Sequence, residues 1–152
     1  MDELIRIRAA LIGITARLSW LPPALARLTL GIIFIGSGWG KLHNLEKMIE
    51  FFTQLRIPVP AFSAPFVGAT ELVCGSLLLL GLASRLAAIP LIVTMCVAIA
   101  TARIGDVEGF GDLLRLQEVD YMILSIWIAV AGAGALSLDY LLSRRLRLSE
   151  TR

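Results

Sequence analysis

The sequence predicts an all-α membrane protein, a four-transmembrane-helix bundle with an N-terminal amphipathic helix and a short interfacial helix between spans one and two. Three observations lead there. Of 152 residues, 57% are hydrophobic and only 17% charged, more apolar surface than a domain of this size can hide from water. Four apolar runs, at about 24–42, 62–82, 86–102 and 121–138, approach the ~20 residues a helix needs to cross the hydrocarbon of a bilayer. Between them lie short segments rich in Pro, Gly and charge, which read as turns and interfacial pieces. The length suits a single membrane domain, 1–152.

The elements follow in order. Leu4, Ile7, Leu11, Ile14 and Leu18 are three and four apart and make one helical stripe, with Arg6 and Arg17 away from it. Such a helix lies on the membrane surface or packs on its own bundle or a neighbour; both readings stand. It does not read as a cleavable signal, because Arg17 interrupts it and no small-x-small site follows. Pro22 and Pro23 suit the start of span one, whose first-turn N–H groups have no internal partner. Leu45, Met48, Ile49, Phe52 and Leu55 form one face of a short helix expected to be capped by Asn44 and to lie at the outer interface. Pro58 and Pro60 end it. Gly81 and Ser84 bracket a short turn, so spans two and three form an antiparallel hairpin, with Pro90 a candidate kink in the third. A Gly-rich acidic loop over 104–118 leads to span four and a basic tail.

Lys and Arg count sets the orientation. Eight fall in the N-terminal segment, the 83–85 turn and the tail, against five on the other side, with Arg27 unassigned. This predicts both termini in the cytoplasm.

An ionisable residue inside a span costs roughly 2.5–3.5 kcal/mol on insertion scales, so each needs a reason. Arg27, Gly31, Phe34, Gly38 and Lys41 are spaced four, three, four, three and form one stripe on span one. Gly36 and Gly40 make a separate G-x-x-x-G pair that would let another backbone come close. On span two Gly68, Glu71 and Gly75 share a face, and on span three Arg85 and Arg103 are five ideal turns apart. Run in alternating directions, the helices place Lys41, Glu71, Arg103, Glu118 and Asp120 in the outer half. Arg27, Arg85 and Asp139 fall at the inner edge. Glu71 is therefore either neutral or paired with Lys41 or Arg103, and it serves as a ligand or proton site or as a purely structural tie. Lys41, Glu71 and Arg103 are the candidate binding residues; Arg27, Arg85, Asp120 and Asp139 complete a structural polar seam.

Other functions are excluded or unsupported. A net charge of +2 gives no basis for nucleic-acid binding. The single histidine, His43, rules out a bis-histidine haem within one chain and most histidine-rich metal sites. Cys74 and Cys96 lie in apolar runs and form no C-x-x-C, so they read as buried small hydrophobes. No catalytic constellation is evident.

The run Arg27-Leu-Thr-Leu-Gly31-Ile-Ile-Phe34-Ile-Gly-Ser-Gly38-Trp-Gly-Lys41-Leu42 resembles the first-helix signature of the DoxX family. So does Gly68-Ala-Thr-Glu71-Leu-Val-Cys-Gly75, followed by Gly81-Leu-Ala-Ser-Arg85-Leu-Ala-Ala88. The close, Gly132-Ala-Gly134-Ala-Leu-Ser137-Leu-Asp139, is similar to the family's C-terminal G-x-G-x-x-S-x-D. The likeness covers about residues 24–142, with Cys74 standing where the family often has a second glycine. The resemblance implies a multi-pass bacterial inner-membrane protein of four helices. Relatives in the wider DoxD-like group are subunits of a thiosulfate:quinone oxidoreductase, and DoxX proteins have been linked to membrane complexes handling oxidative and thiol stress. The expectation is an accessory or anchoring subunit of such a complex, not catalytic alone, with a quinone as ligand of the seam. Its partners would be membrane lipid, redox-complex subunits or further copies of itself. The alternatives are a small transporter or lipid-binding protein using the same seam, and a non-catalytic scaffold.

Overall fold

Helices account for most of residues 1–143, the part of the chain that the computed structural model describes. The tail arginines Arg144, Arg145, Arg147 and Arg152, which entered the charge count, lie outside the described residues. Helix α1 spans Asp2–Arg17 and leaves Leu4, Ile5 and Ile12 exposed. The side chains of Ile7, Leu11 and Ile14 on its expected stripe lie outside the described residues.

Helix α2 (Leu21–His43) opens with prolines in its first turn, as expected. Asn44 follows, but it caps the other way. Its side-chain amide donates back to the Gly40 carbonyl at 2.9 Å, closing α2, and makes no side-chain cap to α3 (Leu45–Gln54). Helix α4 (Pro60–Leu80) starts after Val59, a β-branched residue held at φ 48°. It ends at Gly81, whose φ of 70° lets Gly81 and Leu82 donate to the Leu78 and Leu77 carbonyls and close the helix. Helix α5 (Ser84–Ala98) runs back antiparallel and widens into a π-helical turn at Ile99–Arg103. After a short α6 (Phe110–Leu113), helix α7 covers Gln117–Ala131.

Helices α2 and α4 are in close contact because glycines remove the side chains between them. A Cβ on Gly38 would lie 2.5 Å from the Leu72 nitrogen, one on Gly31 2.9 Å from Leu79 Cβ, and one on Gly75 2.9 Å from the Ile35 nitrogen. The Gly36/Gly40 pair plays no such part among the described residues, since a Cβ on either meets nothing there within 4 Å. Lipid tails are as apolar as leucine, so this close van der Waals fit, rather than water exclusion, holds the helices together. Leu30, Phe34, Leu78, Ala88, Leu91 and Ile128 fill the core between α2, α4, α5 and α7. Ile32, Leu80, Leu86, Ile123 and Val130 face outward as an apolar wall.

Among the described residues, three helical segments are long and apolar enough to cross a membrane: Leu21–His43, Pro60–Leu80 and Ser84–Arg103. The fourth expected span differs. Instead of 121–138, α7 begins at Gln117 and stops at Ala131. Its 15 residues reach about 22 Å, short of the ~30 Å core. Gly132 and Gly134, at φ 88° and 78°, break the winding, and helix resumes only at 138.

Candidate functional site

The stripe expected on span one is present and has a purpose. Phe34, Ser37 and Lys41 follow each other at three- and four-residue steps along the face of α2 turned toward α4. The close approach at Gly38 and Gly68 brings that face to Glu71, which is fully buried on α4. Lys41 Nζ donates to both Glu71 oxygens at 2.5 Å, and Ser37 Oγ donates to Oε2 at 2.8 Å. Both carboxylate oxygens thus have donors, which a buried charge requires. The Lys41 side chain keeps 24% of its exposure. Ser37 was missed as a site residue, although its position one turn before Lys41 was enough to find it.

Arg103 joins a different acid. Its Nε donates to Glu118 Oε1 at 3.0 Å, in the first turn of α7. Asp120 is exposed and stands outside the buried seam where it was expected. The supposed common face of Arg85 and Arg103 assumed unbroken α-winding, which the π-helical turn at Ile99–Arg103 interrupts.

A cleft of about 1010 Å³ lies beside the Lys41–Glu71 pair. One wall is α4 at Phe62, Phe66, Ala69 and Val73; the opposite wall is α5 at Pro90, Val93 and Val97, continued by Thr101 of the π-helical turn. These steps of three and four show that the two helices, joined by the tight turn at 81–84, leave a gap along their facing sides. Met48, Phe51 and Phe52 of α3, with Leu55 just after it, close one end. Ser37, Lys41, Glu71, Glu118 and Tyr121 also line it, so an apolar trough carries a polar patch. The Tyr121 ring stands edge-on to Phe34 at 6.0 Å, fixing α7 against α2. Such a shape suits an elongated apolar molecule with a polar head.

The inner-edge residues form a second, structural cluster. Asp139 accepts hydrogen bonds from Ala83 N at 2.7 Å and Ser84 N at 3.1 Å, capping α5 from a distant part of the chain. Asp139 N in turn donates to the Gly81 carbonyl at 2.9 Å. Arg27, only 3% exposed, donates from Nη2 to the Leu136 carbonyl. Arg85 lies at the surface, its Nη2 3.5 Å from the Ala131 carbonyl and its guanidinium against Gly132. Together these contacts fasten the segment after α7 to the α4–α5 turn. Cys74 is buried and Cys96 exposed, so the expectation of two buried thiols holds for Cys74 alone; both are free.

The family model DoxX matches residues 23–104, which takes in both glycine-rich helix motifs but stops before Gly132 and Asp139. An uncharacterized membrane protein of Mycobacterium tuberculosis is 34% identical over 137 residues, covering 82% of this chain and 84% of its own. CatD of Bacillus subtilis, which carries a provisional oxidoreductase name, is 34% identical over 117 residues, 76% of this chain and 82% of its own. The inner membrane protein YqjF of Escherichia coli is 28% identical over 123 residues, 79% of this chain and 91% of its own. No solved structure matches the chain.

Proposed function

The chain belongs to the DoxX family of membrane proteins, and from that premise we propose that it is an accessory or anchoring subunit of a quinone-linked redox complex in a bacterial inner membrane. The observation that carries this reading is the cleft with the Lys41–Glu71 pair on its wall. An isoprenoid-like tail fits the apolar trough between α4 and α5, and the headgroup reaches Lys41, which has one N–H beyond the two given to Glu71. The oxidoreductase name of CatD supports the same direction.

In this proposal the chain crosses the membrane four times. Helix α7 with the turn at Gly132 and the helical residues from 138 forms the fourth crossing, and both termini are cytoplasmic. A cytoplasm-active reporter fused to the C-terminus is then expected to work, and a periplasm-active one to work near Gly109. A periplasmic C-terminus would overturn the orientation.

The role is tested by purification from native membranes. The chain is expected to co-purify with a redox protein and to show no quinone-reductase activity by itself. Lys41→Ala and Glu71→Ala should weaken the assembly or its dependence on quinone. Arg147→Ala, in the tail outside the described residues, should change neither. Solute movement into liposomes by the purified chain alone would replace the subunit reading with the transporter.

A further inference from the structure

A second cavity, of about 610 Å³, opens at the other end of the bundle from α3, between the α4–α5 turn and the break after α7. Among the described residues it shares no lining side chain with the cleft. Arg85, Gly132 and Tyr140 stand on its wall. Arg85 is exposed, and its guanidinium lies across the break, where a Cβ on Gly132 would come within 3.0 Å of Nε. Only one of its N–H groups meets a protein acceptor among the described residues, the Ala131 carbonyl at a marginal 3.5 Å, and no carboxylate there pairs with it. Asp139 also lines the cavity, but its two oxygens accept from Ala83 N and Ser84 N, and the Arg27 guanidinium reaches the same turn at Gly81. Arg27 and Arg85 thus face one carboxylate, and one positive charge is left over. Leu86 on the wall, Leu80 before the turn and Leu136 within the break are exposed apolar side chains. With α4 ending and α5 beginning here, the cavity lies where hydrocarbon gives way to headgroups.

We propose that this cavity binds the headgroup phosphate of an anionic phospholipid, with Arg85 as the cation that recognises it and the Tyr140 hydroxyl as a second donor. The planar guanidinium presents parallel N–H groups that match phosphate oxygens. The exposed leucines around the cavity receive the acyl chains, which a free phosphate ion lacks, so the surface favours the lipid. A zwitterionic headgroup carries no net charge to set against the leftover cation and gains less from it. Bound there, the lipid bridges the α4–α5 turn and the segment that follows α7. The site is separate from the Lys41–Glu71 cleft and does not depend on what that cleft holds.

The test holds the full chain on an affinity resin in micelles doped with equal amounts of phosphatidylglycerol and phosphatidylcholine. After detergent washing, the lipid retained is extracted and counted by mass spectrometry. Phosphatidylglycerol is expected in about 5-fold excess over phosphatidylcholine. Arg85→Gln should bring that ratio to within about 2-fold, and Arg85→Lys, which keeps the charge without the planar fork, should fall between. Lys47→Gln removes an exposed cation from α3, at the other end, and should leave the ratio unchanged. Arg85 is exposed, so its loss strands no buried group, and the wild-type ratio depends on no variant folding. Equal wild-type retention of the two lipids, or an unchanged ratio in Arg85→Gln, would overturn the site. An equal loss from Lys47→Gln would overturn it too, because net charge alone would then select the lipid. Sodium phosphate, set against sodium chloride at matched ionic strength, should not displace phosphatidylglycerol. Displacement would assign the cavity to the free ion and end the lipid proposal.

Discussion

Gly38→Ala is expected to destabilise the bundle by about 3 kcal/mol, the upper end of what a single added methyl costs in a packed interior. The new Cβ would lie 2.5 Å from the Leu72 nitrogen and 2.6 Å from the Gly68 carbonyl. Both are backbone atoms within a helix and cannot rotate aside, so α2 and α4 must separate. That separation also lengthens the Lys41–Glu71 contact one turn away. Gly36→Ala, two residues earlier, is expected to act in the opposite direction. None of the described residues lies within 4 Å of its Cβ, and alanine gains about 0.5–1 kcal/mol over glycine in a helix interior. Unfolding in mixed micelles, followed by circular dichroism, measures both. Equal effects from the two substitutions would mean that the helices do not meet along the Gly31–Gly38 face.

The contrast between those glycines shows what the sequence made legible. The Arg27–Gly31–Phe34–Gly38–Lys41 stripe follows helical periodicity, so its common face could be read without coordinates. Glu71 stood out because an acid in an apolar run needs a partner. Hydropathy assigns depth but not azimuth, and this explains the errors among the acids. Glu118 and Asp120 share a depth, yet two residues rotate the side chain by roughly 200° around a helix, so only one of them turns inward. Arg103 was placed in the same outer layer as Glu71 and Glu118, and depth alone could not choose between them. The π-helical turn at Ile99–Arg103 also adds rotation that a count of ideal turns omits.

The end of α7 was illegible for another reason. Composition stays apolar from Ala131 to Leu138, so a hydropathy run continues while the backbone at Gly132 and Gly134 turns left-handed. The cleft had no sequence signal of its own. It arises from a gap between α4 and α5, and the residues facing that gap are the same Phe, Val and Ile types that would otherwise face lipid.

Lys41→Met is expected to be the most damaging substitution at the site, costing about 3–5 kcal/mol, because it strands a fully buried carboxylate with Ser37 as its remaining donor. Glu71→Leu should cost less. The cation it strands sits on a flexible stem at 24% exposure, and a lysine in that position can extend its ammonium to the polar boundary. Glu71→Gln should cost least of the three, since an amide still accepts from Lys41 and Ser37. The informative variant is the double one. Lys41→Met with Glu71→Leu removes both charges and fills the space with apolar atoms, so it should recover most of the loss from Lys41→Met. A double-mutant cycle in detergent would then give a coupling of at least about 1 kcal/mol between positions 41 and 71. If Lys41→Met unfolded within about 1 kcal/mol of wild type, the pair would contribute little to the fold, and its place on the cleft wall would have to be explained by ligand binding alone.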